Sequence, residues 1–431
     1  MADADLVIHN AGQLVTCASG NAPKRAREML DIGTVNSGAV AIADGRFIAV
    51  GGSEDILREF SADEVVDVGG RVMCPGFVDP HTHIVYAGDR LEEFEMKLNG
   101  AEYLEILAAG GGILSTVRHT RAASVDELVE QSKQRLDKML ACGTTACEVK
   151  TGYGLDTENE LKMLAVIEML DDAHPIDIVP TFLAAHAVPP EFKDIPDGYV
   201  DLICGEMLPL AWKWHEQSHF SRRGTPFFCD VFTERNAFDI ESSRKVLEAA
   251  RNLGFSVKAH VDQFTNLGGS GLGVTLNAAS IDHLDAISEG EMARLADSDT
   301  IGVVIPTENF NAAKTQFAPA RKLIDAGCAL ALSTDYNPGS APCPSVPMAM
   351  AIACRYQKLL PAEVLNAATI NAAFAIGLGK THGSIEVGKH ADCLVLNADD
   401  PRELAYEFGG NLVATVIKAG RRIIDLSTDT E

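Results

Sequence analysis

The chain lacks any apolar run approaching the roughly 18–20 residues that cross a bilayer, which excludes a membrane-spanning helix. It is short of basic charge. Lys and Arg number 36 against 61 Asp and Glu, a formal net charge of −25, so a basic face for nucleic acid is excluded. That acidity does not forbid an anionic substrate, because one buried Arg outweighs a diffuse surface field. The ten Cys, from Cys17 to Cys393, include no Cys-x-x-Cys pair. This argues against a thiolate zinc knuckle or a disulfide framework and fits reduced, buried thiols. The opening residues Met1-Ala2-Asp3-Ala4-Asp5 lack the basic and apolar regions of a secretion signal, and a cytoplasmic location is expected. Low-complexity tracts and short-period repeats are also missing.

What is present is enough apolar material for a sizeable core, 46% of 431 residues. That length suits two or three domains, or one large α/β barrel with an appendage. Residues 5 to about 70 alternate short β-like runs with turns, and Asp44-Gly45 reads as a hairpin before Arg46-Phe47-Ile48-Ala49-Val50. The C-terminal stretch is similar, with β-like runs at 391–396 and 413–417. From about 72 to 380 short apolar runs alternate with helical stretches such as 125–141 and 158–170. Eight strands are expected, at 76–83, 144–150, 177–186, 227–233, 256–260, 280–283, 301–305 and 329–334. Eight such units point to an α/β fold, a (β/α)8 barrel, over a doubly wound sheet. The expected division is residues 71–380 for the barrel, with 1–70 and 381–431 forming one small β-sandwich domain from both termini.

A barrel of this kind carries its chemistry at the C-terminal ends of its strands. The residues closing the apolar runs are His81 and His83, Lys150, His186, His260, His283 and Asp335, five of them among only twelve histidines. On an extended strand His81 and His83 point to one side and can share an ion. With His260 and Asp335 they supply three nitrogens and a carboxylate, leaving a position for water. Zinc, iron or manganese accepts this set.

These residues carry a family resemblance. Pro75-Gly76-Phe77-Val78-Asp79-Pro80-His81-Thr82-His83, a His ending the fifth strand, and Ser333-Thr334-Asp335 ending the eighth resemble the amidohydrolase superfamily. The tail Ile385-Glu386-Val387-Gly388-Lys389-His390-Ala391-Asp392 does so too. Four further stretches resemble, within it, the branch that opens the ring amide of 4-imidazolone-5-propanoate. They are Glu92-Glu93-Phe94-Glu95-Met96, Ala108-Ala109-Gly110-Gly111-Gly112-Ile113, Glu148-Val149-Lys150-Thr151-Gly152-Tyr153-Gly154-Leu155 and Thr334-Asp335-Tyr336-Asn337-Pro338-Gly339.

The resemblance implies one divalent metal ion, zinc or iron, held by His81, His83, His260 and Asp335. It implies a small-molecule substrate touching Arg90, Tyr153, His186, Gln263, Asn337, Gly339 and Ser340, and it suggests a homodimer. Arg90 offers a planar fork for a propanoate carboxylate. Many members carry His-x-x-Glu after strand five, but here it reads His260-Val261-Asp262-Gln263. Gln transfers no proton, so that role passes to Asp335 or to His283, the second candidate catalytic residue. Binuclear members use a modified Lys on strand four; this one has none, which argues for a single ion. Lys150 ends strand two, the wrong place to bridge two ions, and reads as structural. A deaminase or a hydantoin-type cyclic amidase would use the same barrel and ion.

Three motifs compete. His215-Glu216-Gln217-Ser218-His219 matches the HExxH zinc signature but sits in an insertion without a long apolar face, and reads as a solvated helix. Gly268-Gly269-Ser270-Gly271-Leu272-Gly273 lacks the following acid of a dinucleotide site and reads as a turn into a helix. Gly110-Gly111-Gly112 lacks the Lys-Ser/Thr of a phosphate loop and reads as flexible backbone, a lid at the barrel mouth. His9, His119, His174, His382 and His390 have no sequence partners that single them out.

Overall fold

A computed structural model describes residues 2–100 and 110–425. The chain first lays down β1 (Ala2–Val15), β2 (Thr34–Ala43), β3 (Arg46–Gly52), β4 (Phe60–Asp67) and β5 (Val72–Pro75). Eight barrel strands follow: β6 (Phe77–Asp79), β7 (Thr144–Lys150), β8 (Asp177–Ala185), β9 (Phe228–Thr233), β10 (Ser256–Val261), β11 (Ser280–His283), β12 (Ile301–Val304) and β13 (Leu330–Leu332). The last three are β14 (Cys393–Leu396), β15 (Val413–Lys418) and β16 (Arg421–Asp425).

The terminal strands form one sheet in the order β16-β15-β14-β5-β1-β2-β3, with β4 also on β1. The long β1 joins its two parts, pairing with β4 through its first half and with β5 at Gln13 and Leu14. Asp44 and Gly45 both have positive φ, 50° and 71°, as the tight turn between β2 and β3 needs. Leu6, Ile8, Leu14, Phe47, Met73, Cys393, Val395 and Ile417 share one buried cluster, so residues from both ends of the chain pack into a single core.

In the barrel every neighbouring pair is parallel, from β6 consecutively to β13. The ring closes beyond the first and last strands, where Thr82 bridges Tyr336 and the His83 N–H donates to the Tyr336 carbonyl at 2.9 Å. Five strands are shorter than expected, three by one residue and two by more. β6 stops before Pro80, which has no N–H for a ladder, and β13 stops before Ser333, whose hydroxyl turns to Asp79 and the His81 carbonyl. The helix Val125–Ala141 begins at a Ser124–Glu127 capping box, and Thr157–Ala173 begins on the Asp156 carboxylate. The Ala-rich helix Ile370–Ala375 packs Ala372, Ala373 and Ala375 against Val78, Val179, Phe228, Val303 and Ala331. It plugs the N-terminal end of the barrel and leaves the opposite end for chemistry.

A charged clamp joins the terminal sheet to the barrel. Lys418 of β15 pairs with Asp177 of β8 at 2.5 Å and Asp392 at 2.8 Å, while the His382 Nε2 lies 2.7 Å from Asp177. The covalent joint between sheet and barrel is Gly76. A Cβ there would fall 2.8 Å from the Thr145 Cβ and overlap its hydroxyl and methyl. Gly76→Ala should therefore cost about 1–3 kcal/mol, as overpacking does, measured as a lower urea midpoint. Adding Thr145→Ala removes the two nearest atoms and leaves the Cβ contact at 2.8 Å, so it should restore part of the loss; a coupling of zero between the two substitutions in a double-mutant cycle would refute the steric cause.

Candidate active site

The C-terminal ends of β6, β10 and β13 bring His81, His83, His260 and Asp335 together, each almost fully buried. The His83 Nε2 stands 3.2 Å from the His81 Nε2 and 3.4 Å from the His260 Nε2. Asp335 Oδ1 stands 3.7 and 3.5 Å from the His81 and His83 nitrogens. Ligands about 2.0–2.2 Å from a tetrahedral zinc ion stand about 3.3–3.6 Å apart, so this spacing suits one ion. The imidazoles are also oriented for it. The His81 Nδ1 lies 2.6 Å from Asp282 Oδ2, and a proton held there leaves Nε2 as a lone pair facing the cluster. The His260 Nδ1 lies 2.9 Å from Asp230 Oδ2, though off the line of a good hydrogen bond. Burial holds His81 and His83 well below the usual imidazole range, so both are neutral donors.

Asp79 ties the strand ends together. It accepts Ser333 and Thr334 hydroxyls at 2.5 Å, and the Ser333 hydroxyl also reaches the His81 carbonyl at 2.9 Å. Burial pushes the Asp79 carboxyl up to about 6 against these donors. Asp335, pushed well above the carboxylate range by burial, has φ 51°, and His283 has φ 84°. Left-handed backbone at non-glycine strand ends is unusual and collects at functional sites. Both ring nitrogens of His283 are buried without a hydrogen-bond partner among the described residues, and its ring centre is 5.3 Å from those of His81 and His260.

The residues expected to touch substrate divide. His186 stacks on His83 with centroids 5.0 Å apart and anchors its Nδ1 to the Gly152 carbonyl at 3.0 Å. Tyr153 lies against both, 6.0 Å from His83 and 5.5 Å from His186. Asn337 shapes the loop after β13, accepting the Gly339 and Ser340 N–H groups at 2.8 Å and donating to the Asp335 carbonyl at 2.7 Å. Arg90 meets that loop: a Cβ on Gly339 would fall 2.5 Å from its Nη1. Gln263 is half-buried and makes no hydrogen bond or ring contact that draws it to the cluster, among the described residues.

Arg90 corrects one expectation. It is not a free cation: Nε and Nη2 both donate to Glu93, at 2.6 Å. Glu93 also pairs with Lys97 at 2.8 Å and accepts the Gly112 N–H at 2.9 Å. The available signal was the i,i+3 spacing of Arg90 and Glu93 across the start of the helix Leu91–Leu98. Gly110 and Gly112 have positive φ, while Ala108 and Ala109 of the same stretch lie outside the described residues.

The insertion corrects another. It is not solvated: Leu208, Ala211, His215, His219 and Phe220 are buried. Ser218 ends the helix Leu208–Gln217 and caps His219–Arg223, so the two histidines lie on different helices. His215 stacks on Phe227, and the His219 Nε2 pairs with Asp171 at 2.8 Å. Gly268 does lead into a helix, Gly269–Thr275. Sequence reasoning assigned no role to Asp230, Asp282 and Lys258, which have no local motif, or to Glu148, which lies within a stretch quoted only for its resemblance.

A parallel eight-strand barrel with imidazoles and a carboxylate converging at its C-terminal end defines a metal-dependent hydrolase of the amidohydrolase type, and the amidohydrolase family model matches residues 234–423. The fold is similar to an adenosine deaminase from Xanthomonas campestris (TM-score 0.73, 20% identity, 99% of this chain and 94% of that one). It is also similar to E. coli guanine deaminase (TM-score 0.72, 15% identity, 97% and 98%). At these identities the likeness is one of fold. Sequence goes further: a Chloroflexus aggregans protein named imidazolonepropionase is 54% identical over 98% of this chain and 99% of its own length. One of the same name from Herpetosiphon aurantiacus is 50% identical over 98% and 97%. The chain belongs to the imidazolonepropionase family.

The Glu93 arrangement gives a pH prediction. Burial opposes ionisation, but hydrogen bonds from Arg90, Lys97 and Gly112 win and hold the carboxyl at about 2. A carboxylate lowered in the fold contributes stability above its ordinary value near about 4.3, and loses it as pH falls through the folded value. The melting-temperature gap between the parent chain and Glu93→Gln should be constant above about pH 5 and less than half as large near about pH 3. An unchanged gap across that range would exclude the charge as its source.

Proposed function

We propose that this chain hydrolyses the ring amide of 4-imidazolone-5-propanoate to N-formimidoyl-L-glutamate, a step of histidine degradation. One geometric observation carries the reading. The loop that bears Asp335 also bears Gly339, and Arg90, from the start of the helix Leu91–Leu98, lies against that glycine, so a carboxylate for the metal and a cation for the propanoate meet at one short loop. The full-length relatives bear the name of this activity. The reading includes a single divalent ion, zinc or iron, on His81, His83, His260 and Asp335. Zinc has support from the Xanthomonas campestris neighbour, which is described with bound zinc. It also includes a homodimer in the cytoplasm.

A divalent ion held there supplies Lewis acidity, which acidifies water and polarises a carbonyl. Asp335 accepts the proton of the attacking water at its carboxylate and delivers it to the departing ring nitrogen as the ring C–N bond breaks. His283, neutral and aimed into the cluster, donates a hydrogen bond to the ring carbonyl oxygen as charge develops there. His186 and Tyr153, their rings tilted 47° to one another, line one side of the space for the ring. Asn337, Gly339 and Ser340 shape the loop, and Arg90 binds the propanoate with Nη1, the nitrogen Glu93 leaves uncommitted. Gln263 binds and transfers no proton.

The direct test is turnover of the imidazolone by metal-loaded protein. His260→Ala should lose both bound ion and activity, and full metal occupancy in that variant would sink the ligand assignment. Asp335→Asn should lower kcat by ~10²–10⁴-fold, the range for a positioned acid–base group. Gln263→Ala should act mainly on KM, and a larger loss of kcat there than in Asp335→Asn would reverse the two roles.

Arg90 is tested separately. Arg90→Ala should reduce kcat/KM for the propanoate substrate about 30-fold to several-thousand-fold, the cost of ~2–5 kcal/mol for removing one partner of a buried charge pair. A ring analogue lacking the carboxylate should be little affected. Equal losses on both would make Arg90 a support for the fold.

A further inference from the structure

Below the histidine cluster the barrel holds a layer of charge that the chemistry above does not use. Lys150, Glu148, Asp230, Lys258 and Asp282 are all wholly buried. Side chains two apart on a strand share a face, so Lys258 lies one step below His260 and Glu148 one step below Lys150. The Lys150 Nζ stands 2.7 Å from Asp230, 2.8 Å from Glu148 and 3.9 Å from Asp282. The Lys258 Nζ stands 2.7 Å from Glu148 and 3.6 Å from Asp282, and donates to the Pro80 carbonyl at 2.7 Å.

Two of these carboxylates are the ones behind the imidazoles. The oxygen of Asp230 that faces His260 is the oxygen that Lys150 grips. The oxygen of Asp282 that meets His81 is the one nearest both ammonium groups. Stability alone does not explain the layer, since apolar side chains of similar volume commonly do as well as buried ion pairs. What apolar side chains cannot do is aim a carboxylate. Deprived of Lys150, the Asp230 oxygen that faces His260 would be left with only the off-line Nδ1 of that ring among the described residues, while the N–H groups of Val231 and His260 hold the other oxygen.

We infer that Lys150 is a positioning residue for the metal centre, holding Asp230, and across the layer Asp282, so that His260 and His81 present their Nε2 atoms to one ion. The inference rests on the reading of His81, His83, His260 and Asp335 as ligands. Partners behind a metal-bound histidine typically govern about 10- to 100-fold in affinity.

The test is competition of zinc alone against a chromophoric chelator, using the full chain stripped of metal. A parent chain that takes up no zinc would overturn the ligand reading itself. Given uptake by the parent, Lys150→Met should bind zinc about 10- to 100-fold more weakly. Its cobalt(II) derivative should show an altered visible absorption band, a readout of ligand geometry that loss of stability alone does not move. Lys418→Met is the control, because it removes a buried ammonium shared by two carboxylates at the other end of the barrel. It should lower the melting temperature and leave zinc affinity and the cobalt band unchanged. If Lys150→Met fails to fold, Lys150→Met with Glu148→Gln removes one charge of each sign and takes its place. Native zinc affinity in a folded Lys150 variant, an equal loss in Lys418→Met, or failure of both Lys150 variants to fold would each overturn the inference.

Discussion

Imidazole nitrogens gathered toward one buried point must be held there by the groups behind them, and the rest of this barrel end is organised around that constraint. The Nε2 atoms of His81, His83 and His260 face each other at 3.2 and 3.4 Å, with Asp335 close by. A cation, or a proton shared between two rings, makes such a cluster favourable, and fixed rings keep it assembled. The rings are fixed from behind, by Asp282 on His81 and by Asp230 close to the Nδ1 of His260. Those carboxylates, buried in turn, need counter-charge, and Lys150 and Lys258 provide it.

The same requirement shapes the backbone. Asp335 and His283 turn into left-handed conformations at their strand ends, where regular pairing would carry the side chains elsewhere. Asp79 accepts the Ser333 and Thr334 hydroxyls, which holds the first and last strands together where the ladder has stopped. Closure of the barrel and presentation of His81 and Asp335 are thus one set of bonds.

Away from the site the molecule is conventional in its physics. An Ala-rich helix fills the floor because small side chains allow close approach to the strand ends. The terminal sheet takes strands from both ends of the chain around one apolar core and is clamped to the barrel by Lys418, Asp177 and His382. The Glu93 bridge at the mouth commits two nitrogens of Arg90 and leaves one beside Gly339, which limits the directions from which an anion can approach.

What the sequence by itself determined is what depends on neighbours along the chain. The helix Val125–Ala141 follows from its capping box and periodicity, and the turn at Asp44-Gly45 from its residues' tolerance of positive φ. The alternation of apolar runs and helices makes the barrel legible, and the barrel turns residues that end strands, such as His81, His260 and Asp335, into candidates. The HExxH segment was rightly set aside as a zinc site, but its burial was not legible, because spacing alone reveals neither the helix break at Ser218 nor the aromatic rings that His215 packs against. Tertiary structure alone decided which charges meet: Asp282 and His81 are 201 residues apart, Lys150 and Asp230 are 80 apart, and Lys258 and Glu148 are 110 apart. No local pattern marks such pairs, since a buried Lys or Asp looks in sequence like an exposed one until the barrel closes and withdraws water from both.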